Sequence, residues 1–388
     1  MSVELAYVLI NPYTISKSRT GGVIARFIGR TDLNLVAARM FGPSKALVDE
    51  YASLVKSTDA GPSDASNLIS DYITKSYSPS PATGKPRRVM LLLFEGEDAV
   101  NKIWNVTGSA TLKRGSGETV RDTYGDYIAD DRGQVQYFEP AVLVAPTKTR
   151  AAASLNLWAK YSESDGGIVE AANDVPAGGI VEKTLVMLKP DNFRFPSIRP
   201  GNIIDLLSSS GLRIVGVKKF NMTVAQAEQF YGPVRDALRN KFRNIGAERA
   251  TSVLEKEFGF EMPAGAVDSL CNDLAPVFAT SQFESIVKFM TGFKPSECLP
   301  EEKAVKGAES SLALVYEGVN AVEKIRSILG PTDPNKAKPG SVRREFGSNI
   351  MVNAAHASDS VENAVREMKI IRVEEDTIGK QVKKFYGM

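Results

Sequence analysis

Histidine is almost missing from this chain: one imidazole, His356, stands among 388 residues that include 48 lysines and arginines. Cysteine is scarce too, and Cys271 with Cys298 cannot build a disulfide framework, which fits a reducing compartment. So few nitrogen and sulfur ligands also argue against a structural zinc centre. Long apolar runs are absent. "VMLLLF" at 89–94 falls far short of the roughly 20 residues that cross a bilayer, and the N-terminus lacks a signal-peptide pattern. A cytoplasmic protein with no membrane partner is therefore expected. A net charge of +2, with 43% hydrophobic and 24% charged residues, is ordinary for a globular protein and argues against a nucleic-acid binder. No Gly-x4-Gly-Lys-Ser/Thr phosphate loop occurs, and "GSGETV" from Gly115 lacks the third glycine of a dinucleotide fingerprint.

What is present is a repeat. At about 150 residues per domain, two or three domains are expected. "LAYVLINPYTISKSRTGGVIARFIGRTDLNLVAARMF" at 5–41 has its counterpart in "KTLVMLKPDNFRFPSIRPGNIIDLLSSSGLRIVGVKKF" at 183–220. Each is an apolar strand, a polar loop, an amphipathic helix and a second strand. Further on, "RVMLLLFEGEDAVNKIW" from Arg88 matches "SLALVYEGVNAVEKIR" from Ser311, a buried strand running through Glu-Gly into a helix. Both copies thus follow a βαββαβ order, and an α+β fold of two ferredoxin-like units in tandem is predicted. The expected divisions are 1–161, a Gly- and Asp-rich linker at 162–179, and 180–388. The second copy should hold a helix at 224–242 and a helical insertion at 243–281, with helices at 248–258 and 264–277. In the first copy, the Ser- and Pro-rich stretch at 57–88 reads as a loop with one short helix.

A solitary histidine is more often a satisfied structural residue than a reactive one. Its neighbours, "NAAHASDSVENAVREM" at 353–368, point the other way. Residues 350–354 read as a strand and Ser358 as the N-cap of a helix carrying Val361, Val365 and Met368 on one face. An imidazole there lies where an attached phosphoryl group would meet backbone N–H donors and the positive end of the helix dipole, which suits a histidine that becomes phosphorylated.

"NAAHASDS" resembles the active-site motif of nucleoside diphosphate kinases, Asn-x-x-His-x-Ser-Asp-Ser/Ala. "LKPD" at 188–191 and "VYEGVNAVEKIRSILGPTDPNKAKPGSVRREF" at 315–346 are similar to that family's first-strand lysine motif and nucleotide-binding half. The resemblance covers nearly all of the second copy. It implies transfer of the γ-phosphoryl of ATP to nucleoside diphosphates through a phosphohistidine, with nucleoside di- and triphosphates as partners and Mg²⁺ held through the nucleotide, without a dedicated metal site. Carried over by position, His356 is the nucleophile, Glu367 the carboxylate that orients it, Ser358 that glutamate's hydrogen-bond partner, and Tyr231 a tyrosine near the nucleophile. Lys189, Arg326, Thr332, Arg343 and Asn353 match the residues on phosphates and ribose, and Phe283 the phenylalanine that stacks on the base. Two arginines suit a forked grip on phosphate oxygens. The resemblance also implies a homo-oligomer, here a dimer or trimer of two-domain chains.

In the first copy Asn11 stands for Lys189, Trp104 for Arg326, and "APTKT" at 145–149 for "HASDS", which puts Ala145 at the nucleophile's place; only Arg121 is kept. That copy reads as degenerate. The rival reading of the whole chain is a nucleotide-binding regulatory scaffold with little phosphotransfer, motivated by its insertions.

Overall fold

The computed structural model describes residues 2–57, 64–110, 117–170 and 179–387. Two compact units result, Met1–Phe220 with Ser311–Met388, and Asn221–Ser310.

In the first unit, the first copy runs β1 Val3–Ile10, α1 Pro12–Ser16, α2 Thr20–Arg30, β2 Asn34–Phe41, α3 Lys45–Lys56, α4 Asp64–Tyr77, β3 Val89–Glu97 and α5 Ala99–Thr107. It continues with α6 Val120–Tyr124, a hairpin of β4 Asp126–Ala129 and β5 Val135–Glu139, then β6 Val142–Leu143, α7 Lys148–Lys160 and α8 Ser162–Asp165. The second copy supplies β7 Val181–Leu188, α9 Arg199–Ser208 and β8 Arg213–Asn221 before the other unit. It resumes with β9 Ser310–Val319; after it the helices α14 Ala321–Leu329 and α15 Val342–Phe346, β10 Ala355–Ala357, α16 Val361–Ile370 and α17 Thr377–Tyr386 follow those of the second unit.

Near-continuous apolar strands such as "VMLLLF" and "LALVY" are buried, as strands covered on both faces must be. They form one eight-stranded sheet in the order β10-β7-β9-β8-β2-β3-β1-β6. Each half has the fourth, first, third and second strand of a βαββαβ unit side by side, so the tandem ferredoxin-like fold is what the repeat predicts. The halves join where β2 and β8 run antiparallel, with Arg39 opposite Lys218. These two residues hold equivalent places in the repeat, so an internal two-fold axis passes between them. Gly21 of α2 and Gly201 of α9, also equivalent, meet on the same axis. A Cβ on Gly201 would lie 2.3 Å from the Gly21 oxygen, and one on Gly21 2.5 Å from the Gly201 oxygen. Only glycine permits these helices to approach so closely.

The duplication reaches into irregular backbone. Asp98 (φ 52°) and Asn320 (φ 55°) open α5 and α14 in the left-handed region, and Gly108 (φ 82°) and Gly330 (φ 80°) close them. Buried Arg39 donates to the carbonyls of Ser162, Glu374 and Glu375, while Lys218 donates to those of Ile371 and Arg372 and to the Glu375 carboxylate. These bonds tie the connection between α16 and α17 to the sheet where the copies meet, and α17 packs on α7 and β2 of the first copy. The expected linker begins as α8 and is anchored by Gly42 N to the Asp165 oxygen and Val169 N to the Val215 oxygen, each 2.8–2.9 Å. Its residues 171–178, like Gly115 and Ser116 of "GSGETV", lie outside the described residues.

Some expectations need correction. The Ser- and Pro-rich stretch holds a 14-residue helix, α4, which packs on α3 and hydrogen-bonds to it through Ser70 to the Ala52 oxygen. In the second unit, the helix expected at 224–242 divides at Gly232 and Pro233 into α10 Val224–Tyr231 and α11 Val234–Lys241. A π-helical turn, α12 Ala247–Phe258 and α13 Ala264–Thr291 follow. The last runs through Pro276 and well past the expected end at 277.

Candidate active site

The site begins at a kink in the second copy. Lys189 follows β7, and its amide donates to the oxygen of Ala354 (2.9 Å), whose φ of 68° is unusual for a residue with a side chain. Asn192, fully buried, bolts the same kink by donating to the oxygens of Lys189 and Ala354 at 3.0 and 2.7 Å. The kink turns the chain into β10, where Ala355, His356 and Ala357 pair with Leu188, Met187 and Val186. The strand therefore contains the histidine instead of ending before it, a correction of the strand expected at 350–354.

His356 is partly buried, its side chain 22% exposed, and its Nε2 lies 2.9 Å from Oε2 of Glu367. Ser358 donates to the same oxygen at 2.6 Å. A carboxylate can only accept, so Nε2 carries the proton of this pair and the lone pair falls to Nδ1. Glu367 is buried on α16 beside Ala364 and Met368, whereas Val361 and Val365 are exposed. The apolar face expected for this helix is thus rotated, and a carboxylate takes an inward place. The N-cap is Ser360, accepting from the Asn363 amide, and not Ser358, whose hydroxyl is spent on Glu367.

Beside the histidine, Lys189 Nζ donates to Asn353 Oδ1 (2.7 Å) and the Met351 oxygen (3.1 Å). Asn353 in turn donates to the backbone oxygens of Thr332 and Ile350, both at 3.0 Å. Burial and the nearby Arg343 lower Lys189 to about 8, against the opposing pull of Asp191. Arg343 reaches the oxygens of Gly330 (2.8 Å) and Ala355 (3.1 Å), which joins the end of α14 to the histidine strand. Among the described residues, no group of three or more His, Cys, Asp or Glu could hold a metal ion.

The expected residues Lys189, Asn353, Arg343, His356, Ser358 and Glu367, with the Thr332 backbone, thus form one connected set. Arg326 is exposed on α14 and touches this set only through Gly330, whose amide donates to the Arg326 oxygen. Tyr231 and Phe283 belong to the unit Asn221–Ser310, where Tyr231 packs on Phe230. Phe283 is 0% exposed with the Arg235 guanidinium 3.9 Å above its ring, so as it lies it has no surface for a base. Asn192 was not anticipated. Its signal was the repeat: in the first copy Thr14 takes its place and donates to the Ala141 oxygen, the counterpart of Ala354.

That counterpart corrects the alignment of the first copy. Asn11 N donates to the Ala141 oxygen as Lys189 N does to that of Ala354, and Ala141 shares the left-handed conformation (φ 60°). Leu143 pairs with Leu9 as His356 pairs with Met187. The residue at the nucleophile's place is therefore Leu143; Ala145 falls at Ser358 and Ser154 at Glu367.

The family model described as nucleoside diphosphate kinase matches residues 182–245 and 281–377. A nucleoside diphosphate kinase of Wolinella succinogenes is 31% identical over 188 residues, 48% of this chain and 93% of that protein. One from Campylobacter hominis is 30% identical over the same shares. Among solved structures, an NDP kinase from Pyrobaculum aerophilum is similar at 25% identity and a TM-score of 0.34, over 49% of this chain and 95% of that one. With two relatives at 30% identity or more matched over 93% of their length, the chain belongs to the nucleoside diphosphate kinase family.

Proposed function

We propose that the second copy transfers the γ-phosphoryl of ATP to nucleoside diphosphates with His356 Nδ1 as the nucleophile. The observation that carries this reading is the engagement of Nε2 by Glu367, itself fixed by Ser358. Nδ1 attacks the γ-phosphorus, the bond to the β–γ bridging oxygen breaks and ADP leaves; an incoming nucleoside diphosphate then takes the phosphoryl by the reverse displacement. As the ring gains positive charge in forming the N–P bond, the buried carboxylate on Nε2 stabilises it, and its fixed position prevents the ring from turning. Lys189 supplies a cation beside the histidine, and Arg326, exposed nearby on α14, suits a flexible contact to the distal phosphates. Arg343 holds the floor of the site through two carbonyls, and Asn353 and Thr332 line the same loop. Mg²⁺ arrives as part of the nucleotide substrate, since the residues around Lys189 and Arg343 are cationic and offer no carboxylate cluster; it would screen the phosphate charge. Tyr231 remains assigned to the nucleophile's surroundings on the resemblance alone.

Incubation with γ-labelled ATP is expected to leave an acid-labile, base-stable label that chases into added nucleoside diphosphate. His356→Ala should lose both label and turnover; full turnover in that variant would refute the mechanism. The internal two-fold axis supports the reading that one chain stands for a dimer, and that two or three chains associate, which light scattering tests.

A further inference from the structure

The first copy contains a cavity of about 660 Å³ that the phosphotransfer does not use. Its walls come from α1, α4, the loop at 78–88 that follows it, and β5 of the hairpin, an element without a counterpart among the described residues of the second copy. Four cations, Lys75, Lys85, Arg87 and Arg88, line it against two carboxylates, Asp71 and Glu139. None of the four stands at a position that serves as a phosphate contact in the second copy. At those positions the first copy has Asn11, Trp104, Ala110, Arg121 and Pro140, none of which lines the cavity. This basic lining is therefore newly built and not a remnant of the old cradle.

The wall nearest the lost nucleophile is closed to anions. Glu139, buried, accepts from Asn11 Nδ2 (3.1 Å), from the Tyr72 hydroxyl (2.7 and 2.8 Å) and from the Ala141 amide (3.3 Å). The Tyr77 hydroxyl holds the other end of Asn11 at 2.7 Å. A second negative group beside that carboxylate would be repelled, so an anionic ligand is directed to the α4 and loop side. Four rings also line it, Tyr13, Tyr72, Tyr137 and Phe138. Flat rings next to a cationic wall fit a ligand that has both a ring to stack and phosphates to pair.

We infer that this cavity binds a nucleotide, with its phosphates toward Lys75, Lys85 and Arg87 and its base among the tyrosines, and that it does so without transfer, because Leu143 stands in the place of the histidine. The inference is independent of the role of His356.

Calorimetric titration of the full chain with ADP tests it. Two ADP per chain are expected. Lys75→Glu with Arg87→Glu should weaken one of them by roughly tenfold or more and leave phosphotransfer unchanged, which also shows that the variant is folded. Tyr137→Ala, on the exposed hairpin, should weaken the same site. Lys189→Ala should affect only the other. AMP should displace ADP from the first-copy site, and inorganic phosphate should not. One ADP per chain in the wild type, two that are indifferent to the first-copy variants, or displacement by phosphate as readily as by AMP would each overturn the proposal. Loss of turnover in His356→Ala, or its retention, bears on the phosphotransfer reading and leaves this stoichiometry untouched.

Discussion

Set on the internal two-fold axis, the two copies keep the same strand order, and the first has lost the side chains of the site. Where the second has His356, Ser358 and Glu367, the first has Leu143, Ala145 and Ser154, three residues that cannot support a charged intermediate. Yet the left-handed alanine persists in both, at Ala141 and Ala354, and so does the arginine. Arg121 donates to the oxygens of Gly108 and Val142 as Arg343 does to those of Gly330 and Ala355. An arginine kept in a copy without a nucleophile has work unrelated to phosphate: it clasps the end of one helix to the last strand. Burial lowers Arg121 to about 10, a cost those carbonyl contacts offset. What the comparison teaches is which residues of the site are architecture and which are chemistry.

The pair His356–Glu367 falls on the chemical side, and breaking it should have the largest effect. Glu367→Ala removes the acceptor from Nε2 and from Ser358 together, and kcat is expected to fall about 10²-fold with little change in KM, because the ring loses orientation while the nucleotide contacts stay. Rapid-quench measurement of phosphohistidine formation checks this; a fall confined to KM would make Glu367 a binding residue. On the architectural side, Gly21→Ala and Gly201→Ala should each destabilise the fold by about 2–3 kcal/mol, because both place a methyl against the other helix's backbone. Urea titrations in which one substitution is silent would show that the axis is not shared equally.

Local motifs made much of this legible in sequence. Asn353 to Ser360 form a short, continuous string, so their chemistry survives any error in distant pairing, and the strand, helix, strand order of each copy follows from apolar runs of the right length. Register was not legible. "APTKT" matches "HASDS" by its hydroxyls ahead of a helix, but the true equivalence sets Thr147 against Ser360, the two N-caps, and it takes the backbone pairing of Leu9 with Leu143 and of Asn11 with Ala141 to reveal it. Helix faces failed for a related reason. Val361 and Val365 satisfy an apolar stripe, and the competing fact, that Glu367 must turn inward to reach His356, lies in tertiary structure. Likewise Ser66 and Ser70 read as loop residues, though their small size suits the close packing of α4 on α3.

A smaller effect should separate Lys189 from its counterpart Asn11, which has no charge to lose. Lys189 is lowered from its ordinary 10.5 to about 8. Below pH 8 it is a cation able to meet phosphate; as pH rises through about 8 the free enzyme loses that charge, and kcat/KM should decline. Lys189→Arg should carry the decline to higher pH, since a guanidinium stays protonated. The sign for stability is opposite: between about 8 and 10.5 the unfolded chain binds the extra proton, so this residue's contribution to stability rises over that window. A pH–rate profile unchanged by Lys189→Arg would assign the decline to another group.

The smallest expected effect is none at all, and it is the sharpest test of the comparison. Leu143→His restores an imidazole to the first copy at the register of His356, and Ser154→Glu adds a carboxylate at the position of Glu367. In a His356→Ala background neither change, nor both, should restore turnover. Leu143 and Ser154 are fully buried, Asn11 replaces the lysine, and the Glu139 carboxylate, held by Asn11 and Tyr72, stands on the approach that a phosphate would need. Recovered turnover would mean that the copies differ in the nucleophile and its partner alone; continued silence places the loss in the surrounding charge, where the exchange of Lys189 for Asn11 and the entry of Glu139 reverse the sign of the field a γ-phosphoryl group would meet.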